Sequence, residues 1–210
     1  MNKASVRKLF DIIIILLVLT GVFFSLFVHD NKALLTTSGF KNFKYYTVLS
    51  NVFAGIVSVI SLAVSGEKKK DMITVLRLTA ASMVTITFLT IALFLGPLYG
   101  MARMYRNANF FFHLVVPVIT VINYLFVADN AAVKFKATFM SAALTFLYGL
   151  VYLMNCIING IGEWPDTNDW YGFLNWGYPV GLMIFAVITL FSWLVAVILR
   201  FIRNKISKNN

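Results

Sequence analysis

Apolar residues along the chain gather into six long segments, approximately 9–28, 45–65, 73–95, 110–127, 137–159 and 177–201. Each is 18 to 25 residues long, and about 20 apolar residues suffice for a helix to cross the hydrocarbon core of a bilayer. Short polar connections separate them, and no stretch resembles a separate soluble domain. The pattern predicts an all-α integral membrane protein, a bundle of six transmembrane helices formed as a single domain over 1–210. The first segment follows Lys3, Arg7 and Lys8 and ends FSLFVHD. A secretory leader has a shorter apolar core and a small-residue cleavage site, so this segment reads as a retained span.

Composition agrees with the pattern: 60% of the residues are apolar and 12% are charged, against about 25% charged in an average soluble domain. The net charge of +10 comes from 18 basic and 8 acidic residues. If the six segments span, 13 of the 18 basic residues fall on one side. They are those of the N-terminus, the second loop and its flank (Lys68, Lys69, Lys70, Arg77), the fourth loop (Lys134, Lys136) and the C-terminus (Arg200, Arg203, Lys205, Lys208). Basic residues favour the cytoplasm, so both termini are expected inside a cell membrane, with anionic head groups as partners of the inner face. The other side holds Lys32, Lys41, Lys44, Arg103 and Arg106. It also holds the acidic fifth loop, GEWPDTNDWYG, and an aromatic belt of Trp164, Trp170, Trp176, Tyr45, Tyr46 and Tyr171. Basic residues dispersed among short loops and tails argue against nucleic acid as a partner. One cysteine, Cys156, and two histidines, His29 and His113, exclude an intramolecular disulfide and any multi-His or Cys-based metal centre. No metal or cofactor is expected.

Polar residues inside hydrocarbon are costly, and they are where function is sought first. In the second segment Thr47, Ser50 and Asn51 share one helical face, which Ala54, Ser58 and Ser61 continue. This is either a small-residue packing stripe or the setting of a nucleophile at Thr47. In the fourth segment His113 is followed on its own face by Pro117, Thr120 and Tyr124. Pro117 should free the carbonyl of His113 and bend the span. The histidine is either a structural hydrogen-bonding group or an acid–base catalyst. In the fifth segment Ser141, Thr145, Tyr148, Tyr152, Asn155 and Asn159 recur at alternating steps of four and three. That stripe faces the bundle, either bonding between helices or walling a pocket. Asp11 and Arg77 are expected at the inner boundary, the arginine snorkelling and the aspartate hydrated, with no catalytic role.

The second and fourth segments run in the same direction, and Thr47 and His113 lie about two and three residues into them. At about 1.5 Å per residue their depths match within a turn, and Asn155 approaches that layer along the fifth segment. A hydroxyl and an imidazole at one depth are the parts of a nucleophile–base pair. Ser50, Asn51 or Asn155 would supply oxyanion donors. No acid lies inside the spans at that depth, so any carboxylate orienting the imidazole would be Asp166 or Asp169 reaching in from the fifth loop.

YYTVLSN at the start of the second segment and FHLVVPVITVINYLF in the fourth resemble the androgen-induced protein / androgen-dependent TFPI-regulating protein family, which has a bacterial branch. WYGFLNW before the last segment is similar to an aromatic stretch at the same place in bacterial members. The resemblance implies six spans and a threonine hydrolase of fatty-acid esters of hydroxy fatty acids. It matches the catalytic threonine to Thr47 and the catalytic histidine to His113. Asn123 and Tyr124 depart from it, standing where members often carry an acidic residue and a tryptophan. The expected function is therefore an intramembrane lipid-ester hydrolase near the outer leaflet. Thr47 and His113 are its catalytic pair, and Ser50, Asn51, Asn155, Tyr152 and Asn123 its oxyanion or substrate-binding candidates. The alternative is a non-catalytic lipid- or small-molecule-binding membrane protein, a sensor or carrier.

Overall fold

The computed structural model describes residues 3–28, 39–64, 67–127, 132–163 and 167–208, except the side chains of 67–69. His29, Lys32, Trp164 and Asp166 lie outside the described residues, as do the side chains of Lys68 and Lys69. The described chain is helical without strands. Six helices are long and apolar enough to cross a membrane: α1 (Lys3–Phe27), α2 (Tyr46–Ala63), α3 (Lys70–Tyr99), α4 (Ala108–Val127), α5 (Phe135–Asn159) and α6 (Tyr178–Lys208). They coincide with the six segments of the sequence and point to a multi-pass membrane protein. The sequence places the start of the first and the end of the last too far inward, because their flanks, KASVRK and FIRNKISK, are polar yet helical.

The third helix is the centre of the bundle. More than half of its apolar window (56%) is buried, against 22–39% for the other five, and it packs against α2, α4, α5 and α6. Small side chains make this possible. Thr79, Ala80, Ala81, Ser82 and Val84 are buried, which lets neighbouring backbones approach closely. The hydroxyls of Thr79 and Ser82 donate to the carbonyls of Val75 and Leu78, four residues back, so no polar group is orphaned by this packing.

Near the start of α3 the structure corrects the sequence reading. Asp11 and Arg77 do not reach water: they are 1% and 6% exposed and form an ion pair at 2.6 Å. Ser61 Oγ donates to Asp11 Oδ2 (2.9 Å) and accepts from Arg77 Nη2 (2.7 Å). Asn123 Nδ2 donates to Asp11 Oδ1 at 3.1 Å. Burying two charges is tolerated only when they are paired and further hydrogen-bonded. Here α1, α2, α3 and α4 each contribute one member, and the adjacency of four helices decides which way Arg77 turns.

The two helices with a proline in their interior, α3 and α4, each carry a wide turn just ahead of the ring. Ile91–Leu95 precedes Pro97 and Phe111–Val115 precedes Pro117, each wound with five-residue hydrogen bonds. Proline has no N–H to give the preceding turn, and a π-turn absorbs the mismatch without breaking the helix.

The 167–177 segment folds back over the end of the bundle where α2 and α4 begin. Its anchor is Asp169, whose carboxylate is buried and accepts the amides of Phe173 (2.9 Å) and Leu174 (2.8 Å) and the hydroxyl of Tyr152.

Candidate functional site

Thr47 sits on the first turn of α2, two residues after the Tyr45 N-cap. Below it on the same face Ser50, Asn51, Ala54 and Ser58 are all buried. Thr47 itself is half-buried, and its hydroxyl makes no hydrogen bond among the described residues. The first backbone bond of the helix runs from the Leu49 amide to Tyr45 O, so the amides of Tyr46, Thr47 and Val48 have no carbonyl partner within it. Tyr46 N–H is satisfied by Tyr171 Oη at 2.8 Å. Burial holds the Tyr171 phenol well above its ordinary range, and the neighbouring Tyr148 phenol adds to the shift. It therefore stays neutral and caps the helix as a hydroxyl. The Thr47 and Val48 amides are left as donors beside the Thr47 hydroxyl.

His113 enters the same neighbourhood from α4. The chain turns through Met101–Met104, reverses at Asn107 with φ of 48° and starts α4 at Ala108; asparagine is one of the few side chains that tolerate such a φ. The imidazole is buried, and its Nδ1 lies 2.8 Å from Met104 O. A carbonyl only accepts, so Nδ1 carries the proton and, in the neutral ring, Nε2 carries the lone pair. Nε2 makes no hydrogen bond among the described residues. A backbone carbonyl thus orients this histidine. Asp169, one of the two loop carboxylates named from the sequence as reaching in, accepts from Tyr152 instead.

Asn51 ties the two helices together at this level. Its Nδ2 donates to Thr47 O (2.7 Å) and to Phe112 O (3.0 Å). The second of these bonds explains Pro117. Because the turn is π-wound, with the Val116 amide on Phe111 O, the carbonyl that faces the missing proline N–H is that of Phe112, not that of His113 as an α-helical register requires. Asn51 fills it. Both amide hydrogens of Asn51 are therefore committed, and its buried Oδ1 is left without a donor. Ser50 is committed too: its hydroxyl donates to Thr47 O at 3.0 Å and lies 3.3 Å from that of Thr87. Neither side chain has a hydrogen to give an oxyanion, whereas the two first-turn amides do.

The remaining candidates lie elsewhere. Tyr152 and Asn155 belong with the 167–177 segment. Tyr152 anchors Asp169, while Asn155 Nδ2 donates to Asn168 Oδ1 at 3.1 Å and its Oδ1 accepts from Asn159 at 2.9 Å. Asn123 belongs with Asp11. Further along α5, Ser141 and Thr145 bond to Ser192 of α6, and Thr145 also to Tyr46, so that part of the stripe joins helices.

Two participants escaped the sequence reading. The Met104 carbonyl carries no side-chain signal at all. Tyr171 is marked in the sequence only as a member of the aromatic belt and of the WYG stretch, with no sign that it caps α2. No group of three or more His, Cys, Asp or Glu that could hold a metal occurs among the described residues. Compared with family models, curated proteins and solved structures, the chain finds no match.

Proposed function

We propose that this protein is an intramembrane lipid-ester hydrolase with Thr47 as nucleophile and His113 as base. The observation that carries the reading is the Met104 carbonyl on His113 Nδ1, which leaves Nε2 as a proton acceptor in the helix pair that also presents an uncommitted threonine hydroxyl. Thr47 Oγ1 attacks the ester carbonyl while Nε2 takes its proton. The developing oxyanion is received by the Thr47 and Val48 amides, a backbone donor pair of the kind that stabilises acyl-transfer intermediates. Collapse breaks the ester bond, and the leaving alkoxide takes the proton from Nε2. Water then attacks the acyl-threonine with the same base, releasing the fatty acid and restoring the hydroxyl.

The distribution of basic residues supports both termini inside a cell membrane, which puts the site near the outer leaflet with anionic head groups against the inner face. The resemblance of YYTVLSN and FHLVVPVITVINYLF to the androgen-induced protein family supports fatty-acid esters of hydroxy fatty acids as the substrate class. Purified protein is expected to hydrolyse such an ester, and Thr47→Ala and His113→Ala each to abolish turnover. Turnover retained in either variant overturns the assignment.

One observation favours a second reading, a non-catalytic lipid-binding protein: Thr47 and His113 do not hydrogen-bond to each other. That reading predicts a copurifying intact lipid whose retention survives Thr47→Ala.

A further inference from the structure

The first span carries a glycine where its own backbone has no need of one. Gly21 lies inside α1, on the buried stripe of Asp11, Ile14, Val18 and Ser25, and its φ is not positive. Helix propensity alone favours alanine at such a position. What excludes a side chain is α4. A β-carbon built on Gly21 would stand 2.5 Å from Phe112 Cε1, 2.9 Å from Cζ and 3.0 Å from Cδ1. Carbon atoms in contact keep about 3.5–4.0 Å, so a methyl group there displaces the ring by about 1 Å.

The ring is enclosed. Phe112 is 1% exposed and shares one buried cluster with Tyr45 and Val48 at the start of α2. Its main chain is held as well, because Phe112 O accepts from Asn51 Nδ2 at 3.0 Å. The next residue is His113, on the same π-turn, with Nδ1 2.8 Å from Met104 O. In a close-packed interior a push on the ring is passed on to its neighbours, and the nearest along the chain is the imidazole.

We propose that Gly21 is a positioning residue for His113. Its bare Cα seats the Phe112 ring, and the seated ring fixes the π-turn on which the imidazole meets the Met104 carbonyl. The bearing of Gly21 on turnover rests on the hydrolase reading; its bearing on the imidazole does not. Because it acts only through Phe112, its loss should slow the chemical step and leave substrate binding alone.

The test has two readouts and a control. The control is Gly149 on α5, where a β-carbon would stand 3.0 Å from Phe185 Cδ1 of α6. This is the same kind of glycine–phenylalanine contact, between helices that carry neither Thr47 nor His113. The first readout is nitrogen NMR of isotopically labelled histidine in detergent micelles. A His29→Gln background leaves His113 as the only histidine. The ring is expected as the Nδ1–H tautomer in that background and in Gly149→Ala. Gly21→Ala and Phe112→Leu should each mix in the Nε2–H tautomer, one by overfilling the seat and the other by emptying it. The double variant, which conserves volume, should return to Nδ1–H. Should Gly21→Ala not fold, Phe112→Leu and the double variant carry the same test. The second readout is hydrolysis of a fatty-acid ester of a hydroxy fatty acid. Gly21→Ala should lower kcat about tenfold to a hundredfold with KM held within about twofold, while Gly149→Ala keeps kcat within about twofold per folded protein. A ring that is not Nδ1–H at the outset, an unchanged tautomer in Gly21→Ala, an equal change in Gly149→Ala, or no recovery in the double variant overturns the proposal. Ester turnover that is absent from the wild type overturns the hydrolase reading instead, and the tautomer then decides on Gly21 by itself.

Discussion

Two polar clusters lie inside the same bundle and are built on opposite terms. Around Asp11 and Arg77, charge meets charge and every helix that touches the pair adds a hydrogen bond, from Ser61 and from Asn123. Around Thr47 and His113, neighbours are held just as firmly but reactive atoms are left over: a hydroxyl, an imidazole nitrogen and two backbone amides. Burial of polar groups in a membrane bundle is thus not in itself a sign of chemistry. The distinction is whether the hydrogen-bonding capacity of the cluster is spent within the protein. By that measure the more strongly charged cluster is a clasp between four helices, and the neutral one is the better site.

The largest expected effect is on the clasp. Arg77→Ala leaves Asp11 buried without its counter-charge, which costs about 3–5 kcal/mol. Thermal unfolding in detergent measures it, and the double variant Asp11→Asn/Arg77→Met should recover most of the loss. A cost below about 1 kcal/mol, the range of exposed pairs, would mean that the pair is hydrated. His113→Ala inverts the pattern. Ester turnover should drop by at least about a hundredfold, the range of a general base, while stability changes by about 1 kcal/mol, the worth of one neutral hydrogen bond. Asn51→Leu strips the donor from the Phe112 carbonyl and should cost about 1–3 kcal/mol for the buried orphan, with turnover falling as α2 and α4 lose register. The smallest effect belongs to Tyr171→Phe. Losing the acceptor for the Tyr46 amide should cost about 1 kcal/mol or less, read as a shift in unfolding midpoint. A Tyr171 effect as large as that of Arg77 would erase the contrast between the two clusters.

The spans were legible because an apolar run of membrane length has one stable solution, a helix whose backbone satisfies itself. The shared depth of Thr47 and His113 was legible for the same reason, since residue rise along parallel helices is fixed. Arg77 was not. Whether a long basic side chain snorkels or turns inward depends on what stands beside it, and the partner Asp11 is 66 residues away. The orienting group of His113 escaped because it is a main-chain carbonyl, which every residue possesses. The carbonyl freed by Pro117 was placed one residue off because a π-turn and an α-turn are indistinguishable in sequence and shift the missing bond from His113 to Phe112. Ser50 and Asn51 were found by position, but their role turned on where their hydrogens go. Asn51 spends both on backbone carbonyls and secures the helix pair.

The central claim, that Thr47 is a nucleophile activated by His113, is tested most directly by treating membranes with a fluorophosphonate probe and mapping the adduct by mass spectrometry. The account predicts a single modified site at Thr47, absent in Thr47→Ala and strongly reduced in His113→Ala, and unaffected in Arg77→Ala once corrected for folded protein. Labelling that persists undiminished in Thr47→Ala, or that maps to another residue, would contradict it.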